Sequence, residues 1–219
     1  MYRLAIFDFD GTLVDSAPGI ISVMEQVVAE YDLSDEILNE WRQLIGVPLP
    51  KQMEIIFPNK GEEFHDTVAN RYRSIYDTKA IEICPPFPGL WNMLERLQEA
   101  RVHVAIASSK RRHLIETVLE HHRIQHYFCL LVGAQDVSNH KPHPESVHHI
   151  INKLDVPHSD VVVVGDSTFD LEMARNAGVD GIGVTTGIHT KELLQLAEPR
   201  HVVDRLEAVL PLILNGRMK

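Results

Sequence analysis

The chain is constrained most by five short runs of apolar residues, rich in β-branched side chains, that recur along its length. Each run is continuous rather than alternating, which is typical of parallel strands covered on both faces. Segments with the apolar spacing of helices separate the later runs, and this alternation predicts a Rossmann-like, doubly wound α/β sheet. The five runs comprise residues 4–7, 102–107, 128–132, 161–164 and 181–184.

One helical segment is expected in each connection between the second and the fifth run. Pro144 is placed to open the second of these segments and Gly178 to close the third, as proline and glycine commonly do at helix ends. The apolar positions are Leu114, Val118 and Leu119 in the first segment, Val147, Ile150, Ile151 and Leu154 in the second, and Leu171, Ala174 and Ala177 in the third.

The connection between the first and second runs is far longer than one crossover helix requires. It carries three more helical stripes and ends at the proline-rich residues 84–89. We interpret residues 16–85 as an inserted α-helical cap domain, and residues 1–15 and 86–219 as the core that carries it. The stripes are Ile20, Met24, Val27, Val28 and Tyr31, then Ile37, Leu38, Trp41 and Ile45, then Val68, Tyr72, Ile75 and Tyr76.

Composition excludes several classes of protein. The chain has 219 residues, 44% hydrophobic and 24% charged, which is ordinary for a globular α/β protein of this size. Its 31 acidic and 21 basic residues give a formal charge of −10, so no nucleic-acid partner is expected, because such binding needs a basic face. The sequence indicates neither the presence nor the absence of a protein partner.

Location follows from two further features. No apolar run approaches the roughly 18 residues of a membrane span, so no membrane association is expected. The chain has only two cysteines, Cys84 and Cys129, which are too few for a disulfide framework and lack the spacing of a zinc site. A reducing, cytoplasmic location is therefore expected.

Acidic residues follow two of the predicted strands directly. Asp8 and Asp10 come after the first, and Asp166 and Asp170 after the fourth, at the sheet edge where ligands bind in such folds. Clustered carboxylates raise one another's pKa, so a cation must lie among them. Oxygen ligands favour Mg²⁺ over zinc, and Lys141 is placed to supply a second positive charge. A metal, a lysine and a carboxylate nucleophile suggest phosphoryl transfer.

Four motifs at strand ends resemble those of the haloacid dehalogenase superfamily. They are Asp8-Phe9-Asp10-Gly11-Thr12, Ser108 after residues 104–107, Lys141-Pro142, and Gly165-Asp166-Ser167-x-x-Asp170, in that order. The resemblance covers nearly the whole chain and is closest to the phosphoglycolate phosphatase-like branch with a helical cap. It implies a hydrolase that acts on a small phosphorylated metabolite.

The resemblance also implies roles for individual residues. Asp8 would be the nucleophile that forms an aspartyl-phosphate, and Asp10 would protonate the leaving group and then activate water. Mg²⁺ would be held by Asp8, Asp166 and the backbone carbonyl of Asp10.

The remaining motif residues would support this chemistry. Ser108, Ser109 and Lys141 would bind phosphoryl oxygens. Asp170 would orient metal-bound water or Lys141, and Thr12 would shape the turn after Asp10. The two serines would alternatively cap the next helix, and Lys141 would alternatively be a solvated loop residue.

Alternatives for the reaction remain open at this stage. Asp10 favours phosphate chemistry over dehalogenation, and Ile20 stands where related phosphohexose mutases carry a cap histidine. Hydrolysis of phosphoglycolate is the leading reading, with pyrophosphate, nucleotides and sugar phosphates as other substrates. A phosphosugar mutase and a non-catalytic module that binds phosphorylated ligands are the rival functions.

Several basic residues allow two interpretations. Lys110, Arg111 and Arg112 begin a helix, where either an anionic substrate or a solvated charge run explains them. In the insertion, surface salt bridges are favoured over contact with a second anionic group of the substrate; the residues concerned are Arg42, Lys51, Arg71 and Arg73.

Overall fold

The computed structural model describes residues 1–216, in which six parallel strands form one sheet in the order β3-β2-β1-β4-β5-β6. The strand order reverses at β1, whose neighbours are β2 and β4. The predicted doubly wound α/β fold is confirmed. The strands are β1 (Leu4–Phe7), β2 (His103–Ala107), β3 (Phe128–Val132), β4 (Val161–Gly165), β5 (Asp180–Val184) and β6 (His201–Val203).

Ten α-helices surround the sheet within residues 1–216, and four of them lie between β1 and the helix that precedes β2. They are α1 (Ala17–Glu30), α2 (Asp35–Gln43), α3 (Leu49–Ile56), α4 (Glu62–Lys79), α5 (Leu90–Glu99), α6 (Arg112–His121), α7 (Glu145–Leu154), α8 (Thr168–Asn176), α9 (Lys191–Leu196) and α10 (Val209–Asn215). Short 3₁₀ turns occur at Gln125–Tyr127, Ala134–Asp136, His158–Asp160 and Leu206–Ala208. No helix in residues 1–216 has both the length and the apolarity needed to cross a bilayer.

Both faces of the sheet are covered, which explains why the strands read as continuous apolar runs. In β1, Leu4 and Ile6 belong to one core with residues of α7 and α8. Ala5 and Phe7 point the other way, into a larger core with α5, α6, α10 and the inserted helices. A one-residue register change would move each set to the wrong core.

The helices α1 to α4 pack on one another, α1 against α2 and α4, and α3 against α4. Trp41 is fully buried among them, and its indole N–H donates to Oε1 of Gln52 at 2.6 Å. The Gln52 amide in turn donates to the carbonyls of Leu44 and Val47. These bonds fix the α2–α3 turn, whose residues line the cavity described below.

The chain enters and leaves this insertion along two adjacent segments. The Asp15 N–H donates to the Pro85 carbonyl at 2.8 Å, and the Phe87 N–H donates to the Leu13 carbonyl at 3.0 Å. The Gly11 N–H donates to the carbonyl of Val14. The paired segments are therefore joined to the loop that carries Asp10.

Candidate active site

The loop after β1 brings Asp8 to the carboxyl edge of the sheet, where the Asp8 N–H donates to the Val164 carbonyl of β4. Gly11 follows in the left-handed region, with φ of +74°. A Cβ at this position would lie 2.5 Å from an Asp166 carboxylate oxygen, so both conformation and space favour glycine. Thr12 does more than shape the turn, because its hydroxyl donates to Oδ1 of Asp166 at 2.9 Å.

The loop after β4 supplies Asp166 and, one turn into α8, Asp170. Ser167 rather than Asp166 caps α8, with its hydroxyl accepting from the Asp170 N–H at 3.3 Å. Oδ2 of Asp170 accepts from the Ser167 N–H and hydroxyl, at 3.1 and 2.6 Å. The capping arrangement fixes Asp170 and leaves the Asp166 carboxylate free to face the Asp8 loop.

Three buried carboxylates meet at this edge. Asp8, Asp166 and Asp170 each offer an oxygen within 4.8 Å of the other two. Lys141, after β3, is almost fully buried among them, and its Nζ lies 2.8 Å from Oδ1 of Asp8 and 2.5 Å from Oδ1 of Asp170. The structure therefore excludes the alternative of a solvated loop lysine.

Burial controls the electrostatics of this cluster. It raises the pKa of Asp8 to about 6, although the charge of Lys141 acts in the opposite direction. Burial, followed by the charges of Asp170 and Asp8, raises the pKa of Asp166 well above its usual range. Burial alone would lower the pKa of Lys141, but Asp170 and Asp8 outweigh it and the pKa rises.

The cluster has the properties of a site for a hard divalent cation. Three carboxylates face one lysine, and within residues 1–216 Asp166 accepts a hydrogen bond from Thr12 but forms no ion pair. A Cβ on Gly187 would overlap the Asp166 carboxylate. The absence of a side chain at position 187 therefore leaves the space that the Asp166 side chain occupies. Hard oxygen donors with excess negative charge suit Mg²⁺-like ions.

Asp10 lies apart from the three-carboxylate cluster. Its two carboxylate oxygens accept from Nζ of Lys110 at 2.9 and 3.2 Å. Of the two sequence interpretations of Lys110, the solvated charge run is wrong, because the Lys110 side chain is only 6% exposed. Its two neighbours do form ion pairs near the surface, Arg111 with Asp77 and Arg112 with Glu116.

Sequence reasoning named Lys110 together with Arg111 and Arg112 but did not connect it with Asp10. Its Nζ also contacts the hydroxyl of Tyr76 and lies 3.6 Å from Sγ of Cys84. Burial would lower the pKa of Lys110, but the charge of Asp10 raises it. Burial raises the pKa of both Tyr76 and Cys84, so Asp10 is the anionic partner. The position of Lys110 after Ser108, at the end of a central strand, is a signal that it shares with Arg111 and Arg112.

Ser108 and Ser109 lie on the loop between β2 and α6. Arg111, not a serine, is the residue before α6, and no side chain caps that helix. The capping alternative for the serines is therefore wrong. The Ser108 hydroxyl accepts from the Lys110 N–H at 3.3 Å, whereas the Ser109 hydroxyl is buried without a hydrogen-bond partner in the described chain.

A cavity of about 560 Å³ opens between this sheet edge and the inserted helices. Asp8, Asp10, Asp166, both serines and Lys110 line its floor, and apolar residues dominate the opposite wall. That wall includes Ile20, Ile45, Val47, Pro48, Leu49 and Tyr72.

The basic residues of the insertion fall into two groups. Arg42 and Arg71 form ion pairs with Glu25 and Glu30, as the salt-bridge interpretation predicts. Lys51 and Arg73 border the cavity, although Lys51 also forms an ion pair with Glu54.

Comparison with known proteins gives consistent results. Residues 5–184 match the family described as haloacid dehalogenase-like hydrolase. "Probable phosphatase IndB" of Dickeya dadantii is 36% identical over 95% of this chain and 92% of its own length. A phosphoglycolate phosphatase of Vibrio vulnificus is 27% identical over 97% and 96%. A solved structure of a Bacteroides fragilis protein described as haloacid dehalogenase-like superposes with a TM-score of 0.89, at 27% identity over 95% of this chain and 100% of that one.

Proposed function

The chain belongs to the haloacid dehalogenase-like hydrolase family and is a phosphoric monoester hydrolase of its phosphoglycolate phosphatase-like branch; we propose that it is a Mg²⁺-dependent phosphatase working through an aspartyl-phosphate on Asp8. The observation that carries this proposal is the buried Asp8 carboxylate, paired with Lys141 and facing a cavity beside two further carboxylates.

The metal would be held by Asp8, Asp166 and the backbone carbonyl of Asp10. The excess of buried negative charge around Asp166 supports this choice, because a divalent cation would offset it. When bound, Mg²⁺ supplies positive charge that neutralises the carboxylates and polarises the phosphoryl group.

Asp8 would attack the phosphorus atom and form a phosphorus–oxygen bond as the ester oxygen leaves. In its protonated form Asp10 would give a proton to that oxygen; the resulting carboxylate, which is the form that pairs with Lys110, would then take a proton from the water that hydrolyses the aspartyl-phosphate. Lys141 holds Oδ1 of Asp8 at 2.8 Å, which leaves the other carboxylate oxygen for attack.

Phosphoryl oxygens would bind to Lys141, Ser108 and Ser109. The buried, unpartnered hydroxyl of Ser109 supports its part, because such a group costs free energy until it finds a partner. Asp170 fixes Lys141 through the 2.5 Å contact and is itself fixed by the Ser167 cap.

We propose that residues 16–85 form a cap domain over a core made of residues 1–15 and 86–216; the last three residues of the sequence-based core, 217–219, lie outside the described residues. The paired segments at residues 13–15 and 85–87 would be the hinge, and closure would exclude water during phosphoryl transfer. Among small phosphomonoesters, 2-phosphoglycolate is the leading substrate, in line with the name of the Vibrio relative.

Phosphate release tests the proposal directly. The substrates are 2-phosphoglycolate, pyrophosphate, a nucleoside monophosphate and a sugar phosphate, each with Mg²⁺ and with a chelator. We expect release that requires both Mg²⁺ and Asp8, with Asp8→Asn as the inactive control. Release unchanged in Asp8→Asn would disprove the nucleophile, and absence of release from every substrate would disprove the phosphatase. Isomerisation of a sugar phosphate without free phosphate would identify a mutase.

A further inference from the structure

The Lys110 side chain is buried, and a buried lysine requires partners that compensate its charge. Its side chain is 6% exposed, and an unpaired ammonium at that depth would destabilise the fold strongly. Asp10 is the carboxylate that pairs with it, and it does so through both oxygens. The pair is held from two other parts of the chain, Tyr76 of α4 and Cys84 of the connection to α5.

All three N–H donors of Lys110 are accounted for by these partners. One side of the ammonium faces the Asp10 carboxylate, and the others face the Tyr76 oxygen and the Cys84 sulfur. No donor remains for a phosphoryl oxygen. Lys110 therefore differs from Lys141, which lies between Asp8 and Asp170 in the cluster proposed to bind the phosphoryl group.

We propose that Lys110 is a positioning residue for Asp10, held in place by the inserted helices. An aspartate side chain turns about two bonds, and the contacts at 2.9 and 3.2 Å fix both. Without Lys110, the Asp10 carboxylate would be free to turn toward Lys141 or a bound cation, away from the leaving group. This inference rests on the proposed function, because the acid–base role of Asp10 belongs to it.

Tyr76 makes the arrangement depend on the insertion. Its ring stacks on Tyr72 at 5.6 Å between centroids, and Nζ of Lys110 lies 4.5 Å from the centre of the Tyr76 ring. Helix α4 thus contributes an oxygen and an aromatic face to a lysine that belongs to the core sheet edge. Correct placement of the Asp10 carboxylate is therefore coupled to correct seating of the inserted helices.

The test compares two substrates in Lys110→Met and in the matched surface variant Lys153→Met. 2-Phosphoglycolate releases an alkoxide and needs a proton donor, whereas p-nitrophenyl phosphate releases a stable phenolate without one. We expect Lys110→Met to lower kcat/KM for 2-phosphoglycolate by about 100-fold and for p-nitrophenyl phosphate by no more than about 3-fold. Lys153, exposed on α7, is expected to tolerate the same change.

A double-mutant cycle separates positioning from folding. Asp10→Asn removes the charge that Lys110 neutralises, so the double variant has no unpaired buried charge. If Lys110 acts through Asp10, adding Lys110→Met to Asp10→Asn costs less than about 3-fold further in kcat/KM. Circular dichroism and thermal unfolding of each variant report whether the fold is intact.

The outcomes are distinct. Selective loss on 2-phosphoglycolate, absent in the Asp10→Asn background, supports the positioning role. Equal loss on both substrates, a rise in KM with kcat unchanged, or full additivity with Asp10→Asn overturns it while leaving the phosphatase intact. Absence of Asp8-dependent phosphate release from the wild-type protein overturns the proposed function, and the role of Lys110 with it.

Discussion

Two buried lysines pair with three of the four aspartates of the site, and they do so in different ways. Lys141 and Lys110 are both 6% exposed, and each pairs with an aspartate from the loop after β1. Lys141 bridges Asp8 and Asp170, which both come from the carboxyl edge of the sheet. Lys110 pairs with Asp10 alone and takes its other contacts from Tyr76 and Cys84, near the end of the insertion.

The difference assigns the two halves of the site to two parts of the fold. The half around Asp8, the proposed nucleophile (the nucleophile half), is built within the core, where neighbouring strands fix the positions of its residues. The half around Asp10, the proposed acid–base residue (the acid–base half), depends on α4 and on the segment at residues 84–87 for its geometry. Changes in the insertion should therefore affect proton transfer before they affect Asp8, Asp166 and Asp170, the proposed metal cluster.

Removing Lys141 should have the largest effect. Lys141→Met leaves Asp8 and Asp170 buried without their cation, and we expect a loss of about 3–5 kcal/mol in the free energy of unfolding. Lys110→Met should cost less, because its partner Asp10 is 18% exposed and keeps some contact with water. Urea unfolding of both variants in chelator measures the two values, and equal losses would contradict the comparison.

The pH dependence of the metal-free protein tests the nucleophile half next. The folded-state pKa of Asp8, raised to about 6 from 3.8, favours its protonated form. Its contribution to stability is complete below about pH 4 and is lost as pH rises through 6, a loss on the order of 3 kcal/mol. Unfolding free energies in chelator should show the wild type falling relative to Asp8→Asn over this range. A constant difference would contradict the shift.

Magnesium should reverse that loss, since a ligand bound only by the folded state stabilises it. The stabilisation should be present above pH 6, where Asp8 loses its proton, and should vanish near pH 4. Stabilisation that is equal at pH 4 and 7 would place the ion elsewhere.

A glycine variant isolates the metal cluster. Gly187→Ala places a methyl group on the Asp166 carboxylate, and displacement of that ligand should weaken Mg²⁺ binding by about 10- to 100-fold. The matched change is Gly61→Ala, where a Cβ meets nothing within 4 Å. Calorimetric titration with Mg²⁺ compares the two, and equal affinities would show that Asp166 does not contribute.

The smallest effect is expected from Tyr76→Phe. This change removes one neutral contact from Lys110 and should lower stability by about 1 kcal/mol. It should lower kcat/KM for 2-phosphoglycolate by a few-fold, with less effect on p-nitrophenyl phosphate. Magnesium affinity should stay the same, because the metal cluster lies on the Lys141 side. A weakened affinity would mean that the two halves are not separate.

Much of the nucleophile half could be predicted from the sequence. Continuous apolar runs located five of the six strands, and the residues directly after them had to meet at one edge, because parallel strands end together. Asp8 and Asp166 follow from that rule, whereas Asp170 and Lys141 lie further along the chain and were placed there by the motif resemblance. Strand β6 was missed because its three residues are too few to show a pattern. Helix α3 was missed because prolines at positions 48 and 50 obscure a single buried face.

The sequence by itself therefore determined the sheet, the long insertion and the acidic edge, since all three follow from local patterns and strand order. Only the tertiary structure decided that Lys110 is buried and paired. Asp10 and Lys110 are 100 positions apart, and Tyr76 and Lys110 are 34 apart. Nothing local distinguishes Lys110 from Arg111 and Arg112, which form ion pairs near the surface. The distinction arises because Tyr76 of α4 and Cys84 contact Lys110 and so enclose one of three adjacent cations.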